Sequence, residues 1–288
     1  MIDLHTHSTA SDGTMKPAEL VRYAAERGIE VLALTDHDTL SGLNEAEDEA
    51  GRVGIDFIPG IEISAEFEPG TLHILGYYTN AGDSALERSL SLLREGRDHR
   101  NRIILEKLAV LGYPLELKDV MRFAGGQSVG RPHIADALVN RGYVDNRNEA
   151  FDRLLSKGAP AYADKERMTP EGAVAIILKA GGIPVLAHPQ YMNLDRDSLS
   201  MFVGDLKNSG LAGLEVYYYS HSPEDVAFYG SLAEEYGLLP TGGTDYHGPG
   251  GLKRTDIGIG TGDMRVPGSV AEGLKKAHFS GLQSGLGR

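Results

Sequence analysis

Apolar residues follow two spacings along this chain, and the switches between them predict its elements. Short apolar runs at 1–4, 31–34, 55–60, 72–77, 183–187, 211–217 and 237–242 read as strands. Stretches 17–28, 42–54, 169–179, 195–209, 223–236 and 269–279 carry helical spacing. In the first of these, Leu20, Val21, Ala24 and Ala25 share a face, Pro17 sits near the start and Gly28 at the stop. Strand–helix units in series predict an α/β fold. A closed or distorted barrel fits the pattern, with its polar residues at strand carboxyl ends. Periodicity by itself leaves an open doubly wound sheet as the alternative.

The alternation stops at 83 and resumes near 166. Residues 84–111 have helical spacing, and 117–123, 131–140 and 148–157 read as further short helices. Roughly eighty residues of this kind are too long for a connection, so they form an inserted helical unit. The predicted organisation is a barrel from 1–82 and 166–288, with a helical insertion over 83–165 that caps the substrate site.

Composition narrows the chemistry. There is no cysteine, so disulfides and thiolate ligands are excluded, and a metal site must use His, Asp and Glu. Such nitrogen and oxygen donors suit Mn, Fe, Zn or Mg better than soft Cu(I). A net charge of −13 argues against a basic face for duplex DNA. No apolar run reaches membrane length and the start carries no signal-peptide pattern, so a cytoplasmic protein is expected.

The candidate chemistry begins at His5-Thr6-His7, which closes the first apolar run. Alternation along a strand would point both imidazoles to one face. His37 ends the second run. Glu62 lies between Ile61 and Ile63, where a carboxylate needs a partner, either an arginine or a metal ion. His73 sits among apolar neighbours and, taken alone, reads as a core histidine. His188 follows the fifth run, and Asp245-Tyr246-His247 follows the last. Asp12 completes the set. Asp36 and Asp38 flank His37, either orienting its imidazole or capping the next helix. In the insertion, Gly125 to His133 (GGQSVGRPH) is a glycine-rich turn entering a helix. Helix-start amides favour anions, and Ser128, Arg131 and His133 would add donors; the alternative is an ordinary helix entry with a surface arginine. His221 follows the sixth run and reads either as a substrate contact or as a loop histidine. His99 and His278 lie in expected helices and read as structural. The GIGTG stretch at 258–262 reads as a backbone turn, because no Lys-Ser/Thr follows it.

The ordered set His5-x-His7, Asp12, His37, Glu62, His73, His188-Pro189 and Asp245-x-His247 resembles the PHP (polymerase and histidinol phosphatase) family. The segments SDGT, LTDHDT, GIEIS, LAHP and TDYH resemble its signature over about 1–80 and 165–265. GRPHIADALVNRGY and AFDRLLSKGAPAY are similar to the insertion of small bacterial phosphoesterases acting on nucleotides and short RNA. The resemblance implies a distorted (β/α)7 barrel and two or three divalent ions. His5, His7, Glu62 and Asp245 would hold one ion. Glu62 would bridge to a second, held also by His73 and His188. Asp12, His37 and His247 would hold a third.

Paired cations supply an attacking hydroxide and neutralise phosphate charge. The expected reaction is therefore phosphoester hydrolysis by a hydroxide bridging the ions at Glu62, with Arg131 and His133 clamping phosphate oxygens. The substrate would be a nucleoside 3′,5′-bisphosphate, a mononucleotide or short RNA cut from its 5′ end. Histidinol phosphate is a second reading, disfavoured by the helical insertion. A non-catalytic metal-binding regulatory module and an amidohydrolase-type C–N hydrolase complete the alternatives.

Overall fold

The structure is a computed structural model describing residues 1–124, 129–164, 168–249 and 255–285. Seven strands form one sheet in chain order: β1 (Ile2–Asp3), β2 (Val31–Leu34), β3 (Asp56–Ala65), β4 (Leu72–Tyr77), β5 (Ile183–Leu186), β6 (Gly213–Tyr218) and β7 (Leu239–Gly243). The sheet curls until β7 meets β1. Leu4 donates its amide to Gly242 O at 3.2 Å, and His7 donates to Tyr246 O at 2.8 Å. The barrel alternative therefore holds over the open sheet.

Helices α1 (Pro17–Glu26), α2 (Leu43–Val53), α7 (Pro170–Lys179), α8 (Arg196–Asn208) and α9 (Pro223–Glu235) accompany the barrel strands. Alternation sorts each strand's residues. Leu32 and Leu34, Ile61 and Ile63, Ile74, Leu186, Leu214 and Val216 join the larger apolar cluster together with helix residues such as Leu20, Val174 and Leu232. Ala33, Ile58, Leu75, Tyr77 and Val185 form a separate cluster, to which α10 (Gly268–Gly285) contributes Val270 and Leu274. Glu62, His73 and Glu215 share the alternation of that second set, but lie higher on their strands.

Two details depart from the sequence reading. The third strand does not end at Gly60. It runs on to Ala65 because 60–65 pair with all of β4, from Gly60 opposite Tyr77 to Ala65 opposite Leu72. β4 is antiparallel to both β3 and β5, whereas the other neighbours are parallel. Its start, not its end, therefore lies at the rim where the parallel strands finish, and this carries His73 there.

α3 (Ser84–Val110) is 27 residues long and is capped by Asp83, which accepts from the amides of Ala85 and Leu86. Its first half packs Leu86, Leu90 and Leu93 against the barrel. Its second half packs Ile104, Leu105 and Leu108 into a separate apolar cluster with α4 (Leu117–Met121) and α5 (Arg131–Asn140). The predicted helix at 148–157 is instead α6 (Arg147–Ala150) running into a π-helical turn, Phe151–Leu155. Such turns recur at functional sites, and Phe151, Ser156 and Lys157 line the main cleft here.

The β7–β1 seam leaves no room for a side chain at Gly243: a Cβ there would stand 2.4 Å from His5 Cβ. Gly243→Ala is expected to destabilise the protein by about 1–3 kcal/mol through overpacking, read as a lower urea midpoint. An unchanged midpoint would show that the seam relaxes at no cost.

Candidate metal centre

His5 and His7 stand just past β1, on the segment that pairs with Tyr246. Their rings are 5.2 Å apart. His37 follows β2 and bridges to Glu62 on β3. His188 and Asp245 follow β5 and β7 with positive φ, 26° and 50°, and Asp38 has 54°. Backbones rarely tolerate these values outside glycine, and such strain collects at functional sites.

Glu62, which is 1% exposed, is the hub. Its Oε2 lies 3.3 Å from His5 Nε2, 3.2 Å from His7 Nε2 and 3.1 Å from His37 Nδ1. Its Oε1 lies 2.8 Å from His73 Nδ1 and 2.9 Å from His188 Nε2. Its partners are thus histidines, not the arginine that a buried ion pair would bring. Asp245 Oδ1 is 3.1 Å from His7 Nε2, and the Tyr218 hydroxyl donates to Asp245 Oδ2 at 2.7 Å. Asp12 lies 3.2 Å from His247 Nε2 and 3.9 Å from His37 Nε2.

Three groups of donor atoms are close enough to hold an ion: His5, His7, Glu62 and Asp245; His7, Asp12, His37 and His247; and His37, Glu62 and His73. The first coincides with the first expected set. The second adds His7 to the third expected set. The last puts His37 beside Glu62 and His73, with His188 3.3 Å from His73. All nine residues named from the sequence converge.

The protonation states follow from crowding. Burial opposes charge on His5, but Glu215 and Glu62 outweigh it and raise its pKa to about 10. Burial dominates at His7, His37 and His188 and holds them down, His188 to about 4. Burial would also raise Glu62, yet the charges of His37, His73 and His5 pull it well below the usual carboxylate range. The donor set fits a cation on a direct test. His5 Nε2, His7 Nδ1 and Nε2, His37 Nδ1 and Glu62 Oε2 are buried with no hydrogen-bond partner. Buried polar atoms are seldom left so, and here four of the five face a common centre within 3.3 Å of Glu62 Oε2 or are that atom.

Above the cluster lies a cleft of about 440 Å³ that opens into a second cavity of about 330 Å³; Asp12, His37 and His73 line both. The cleft is cationic on its insertion side, through Arg97, Arg100, Arg131 and Lys157. Arg131 starts α5, donates to Leu155 O at 3.2 Å and lies over the Tyr162 ring. His133 is buried, and its Nδ1 accepts from the Gly130 amide at 3.0 Å. Ser128 lies outside the described residues. His221 does not line either cavity; its Nδ1 donates to Val216 O at 2.8 Å, and its ring packs on Tyr218 and Tyr229. His278 stacks on Tyr78.

Arg97, Arg100, Asp3 and Glu215 escaped the sequence reading, whereas Asp36 and Asp38 were named but take other roles. Arg97 and Arg100 are buried at the junction on α3, and their spacing of three with Arg94 was the available signal. Asp38 accepts from the Ser64 amide at 2.9 Å and pairs with Arg97, so it ties the barrel rim to α3 and caps no helix. Asp36 accepts from Ser8 and Ser11, and Asp3 from Thr244 and Gly258. Glu215 sits behind His5; its signal was the one Glu62 gave, a lone carboxylate in an apolar strand.

The fold and the cluster define a class, a barrel with a nitrogen- and oxygen-donor cation centre at one rim. Residues 3–156 match the family model described as the PHP domain. The chain is 36% identical over 250 residues to a 3′,5′-nucleoside bisphosphate phosphatase of Chromobacterium violaceum, covering 86% of this chain and 88% of that one. It is 38% identical over 268 residues to a 5′-3′ exoribonuclease of Haemophilus influenzae, covering 92% and 96%. A solved Chromobacterium violaceum structure described as an amidohydrolase with bound sulfate and no metal superposes with a TM-score of 0.84 at 33% identity, covering 96% of both chains. A structure from Bifidobacterium adolescentis described as a metal-dependent phosphoesterase gives 0.83 at 29% identity, covering 94% of both. The chain belongs to the PHP domain family. Hydrolysis of phosphoric esters is what most of these names share. Among the described residues, no helix is long and apolar enough to cross a membrane.

Proposed function

We propose that the protein is a metal-dependent phosphoesterase acting on a nucleotide that carries two phosphates, as a nucleoside 3′,5′-bisphosphate or as the 5′ end of short RNA. One observation carries the reading: the cleft has a donor cluster for its floor and arginine and lysine for its wall. His5, His7, Glu62 and Asp245 would hold one ion, Glu62, His73 and His188 a second, and Asp12, His37 and His247 a third. Divalent ions such as Mn, Fe, Zn or Mg lower the pKa of bound water and neutralise phosphate charge. Arg131 and the start of α5 would hold oxygens of the phosphate under attack. Arg97, Arg100 and Lys157 would hold the phosphate that is kept.

Charge along the chain supports this division. Residues 83–165 carry fourteen Lys and Arg against twelve Asp and Glu, and the remainder fourteen against twenty-nine. The helical segment 83–165 thus acts as a mildly basic cap on an acidic barrel, suited to drawing an anion into the cleft.

The test is a panel of nucleoside 3′,5′-bisphosphate, AMP, 5′-phosphorylated dinucleotide, histidinol phosphate and an amide, run with Mn²⁺ and with chelator. Turnover of the two-phosphate substrates above the rest is expected. Preference for histidinol phosphate or the amide would overturn the reading. Arg131→Ala is expected to lower turnover by about 10–100-fold, the range of a lost charge-assisted clamp, at unchanged metal content. Equal loss of both would mark a folding defect instead.

A further inference from the structure

Glu215 belongs to none of the three donor groups, yet from behind it touches His5, a member of the first, and His188, which lies beside the last. Its strand is apolar on the helix-facing side, where Leu214 and Val216 are in the core, so alternation turns Glu215 into the barrel. A register shift between Glu215 and Tyr217 marks the same place. The carboxylate is fully buried. One oxygen lies 2.9 Å from His5 Nδ1, and the other accepts the His188 backbone amide at 2.7 Å. Both histidines reach Glu62 from the other side, His5 through Nε2 and His188 through Nε2.

An ionised carboxylate only accepts hydrogen bonds. Facing Glu215, His5 must therefore keep a proton on Nδ1, so a cation can displace only the proton on Nε2, the nitrogen directed at the cluster. The second oxygen braces His188, whose φ of 26° needs support from its surroundings. We propose that Glu215 is the positioning residue of the centre: one carboxylate fixes the donor tautomer of His5 and the backbone of His188, and so presets two neighbouring ion sites together. This rests on the metal-dependent reading above.

Glu215→Gln separates the effects. The side chain keeps its shape, and its carbonyl oxygen still accepts from the His188 amide. Its NH₂ then faces His5 Nδ1 and offers a proton there, which drives the His5 proton to Nε2 and blocks that donor atom. Calorimetric titration of the metal-free protein with Mn²⁺ should show affinity weakened by about 10–100-fold relative to wild type, the usual loss when such a partner is removed. Cooperative thermal unfolding establishes that the variant is folded. Wild-type affinity in the folded variant overturns the proposal. Failure of the wild-type protein itself to bind Mn²⁺ would instead overturn the metal-dependent reading.

A second measurement needs no variant. In Zn²⁺-loaded wild-type protein, ¹⁵N NMR of the histidines should show His5 protonated at Nδ1 and metal-bound at Nε2. Metal on Nδ1 overturns the assignment even if Glu215→Gln does not fold.

Discussion

Glu62→Gln should leave a folded protein with almost no phosphoester hydrolysis. The substitution preserves volume but removes the charge at the one side chain that meets His5, His7, His37, His73 and His188. A carboxylate can give an oxygen to each of two ions, whereas a carboxamide offers one acceptor and turns two N–H donors toward imidazole lone pairs. Ions at such a centre supply several kcal/mol of transition-state stabilisation. Losing about 4 kcal/mol lowers the rate by about 10³-fold. Two readouts belong together here: bound metal per chain and kcat on the preferred substrate. A variant that keeps both at wild-type values would remove Glu62 from the chemistry.

Chelation should inactivate the enzyme and also soften it. Ions that bind the folded chain and not the unfolded one stabilise it by about 4 kcal/mol when present at a thousand times their Kd. For a chain of this size each kcal/mol moves Tm by about 2–4 °C, so stripping the ions should lower Tm by about 10 °C. Added Mn²⁺ should restore both Tm and turnover. Recovery of neither, with intact secondary structure, would mean that the cluster serves something other than divalent ions. A Tm that recovers without any turnover on the panel would favour a metal-binding regulatory module.

The cluster itself was legible because its chemistry is costly to place by accident. His5, His7, His37, Glu62, His188, Asp245 and His247 each stand at or near the end of an apolar run, where chance seldom puts an imidazole or a carboxylate. Glu215 stands between Leu214 and Val216 just as Glu62 stands between Ile61 and Ile63, but no segment resembling a family signature singles it out. Arg97 and Arg100 were hidden for a different reason. A helix of 27 residues reads as one amphipathic element, and nothing local shows that it leaves one core and enters another midway. The arginines matter because they fall at that change of partner.

By itself the sequence determined the alternating elements and placed candidate donors near the ends of apolar runs, since these rest on spacing and residue type; the grouping of those donors, with His73 among them, came from the resemblance to the PHP family. Tertiary structure decided the direction of β4, and with it the arrival of His73 at the rim. It decided that Asp38 joins Arg97 and that Glu215 backs both His5 and His188. The physical reason is the same in each case: strand direction and partners across the barrel are set by backbone pairing between segments far apart in the chain, which no local pattern of polar and apolar residues encodes.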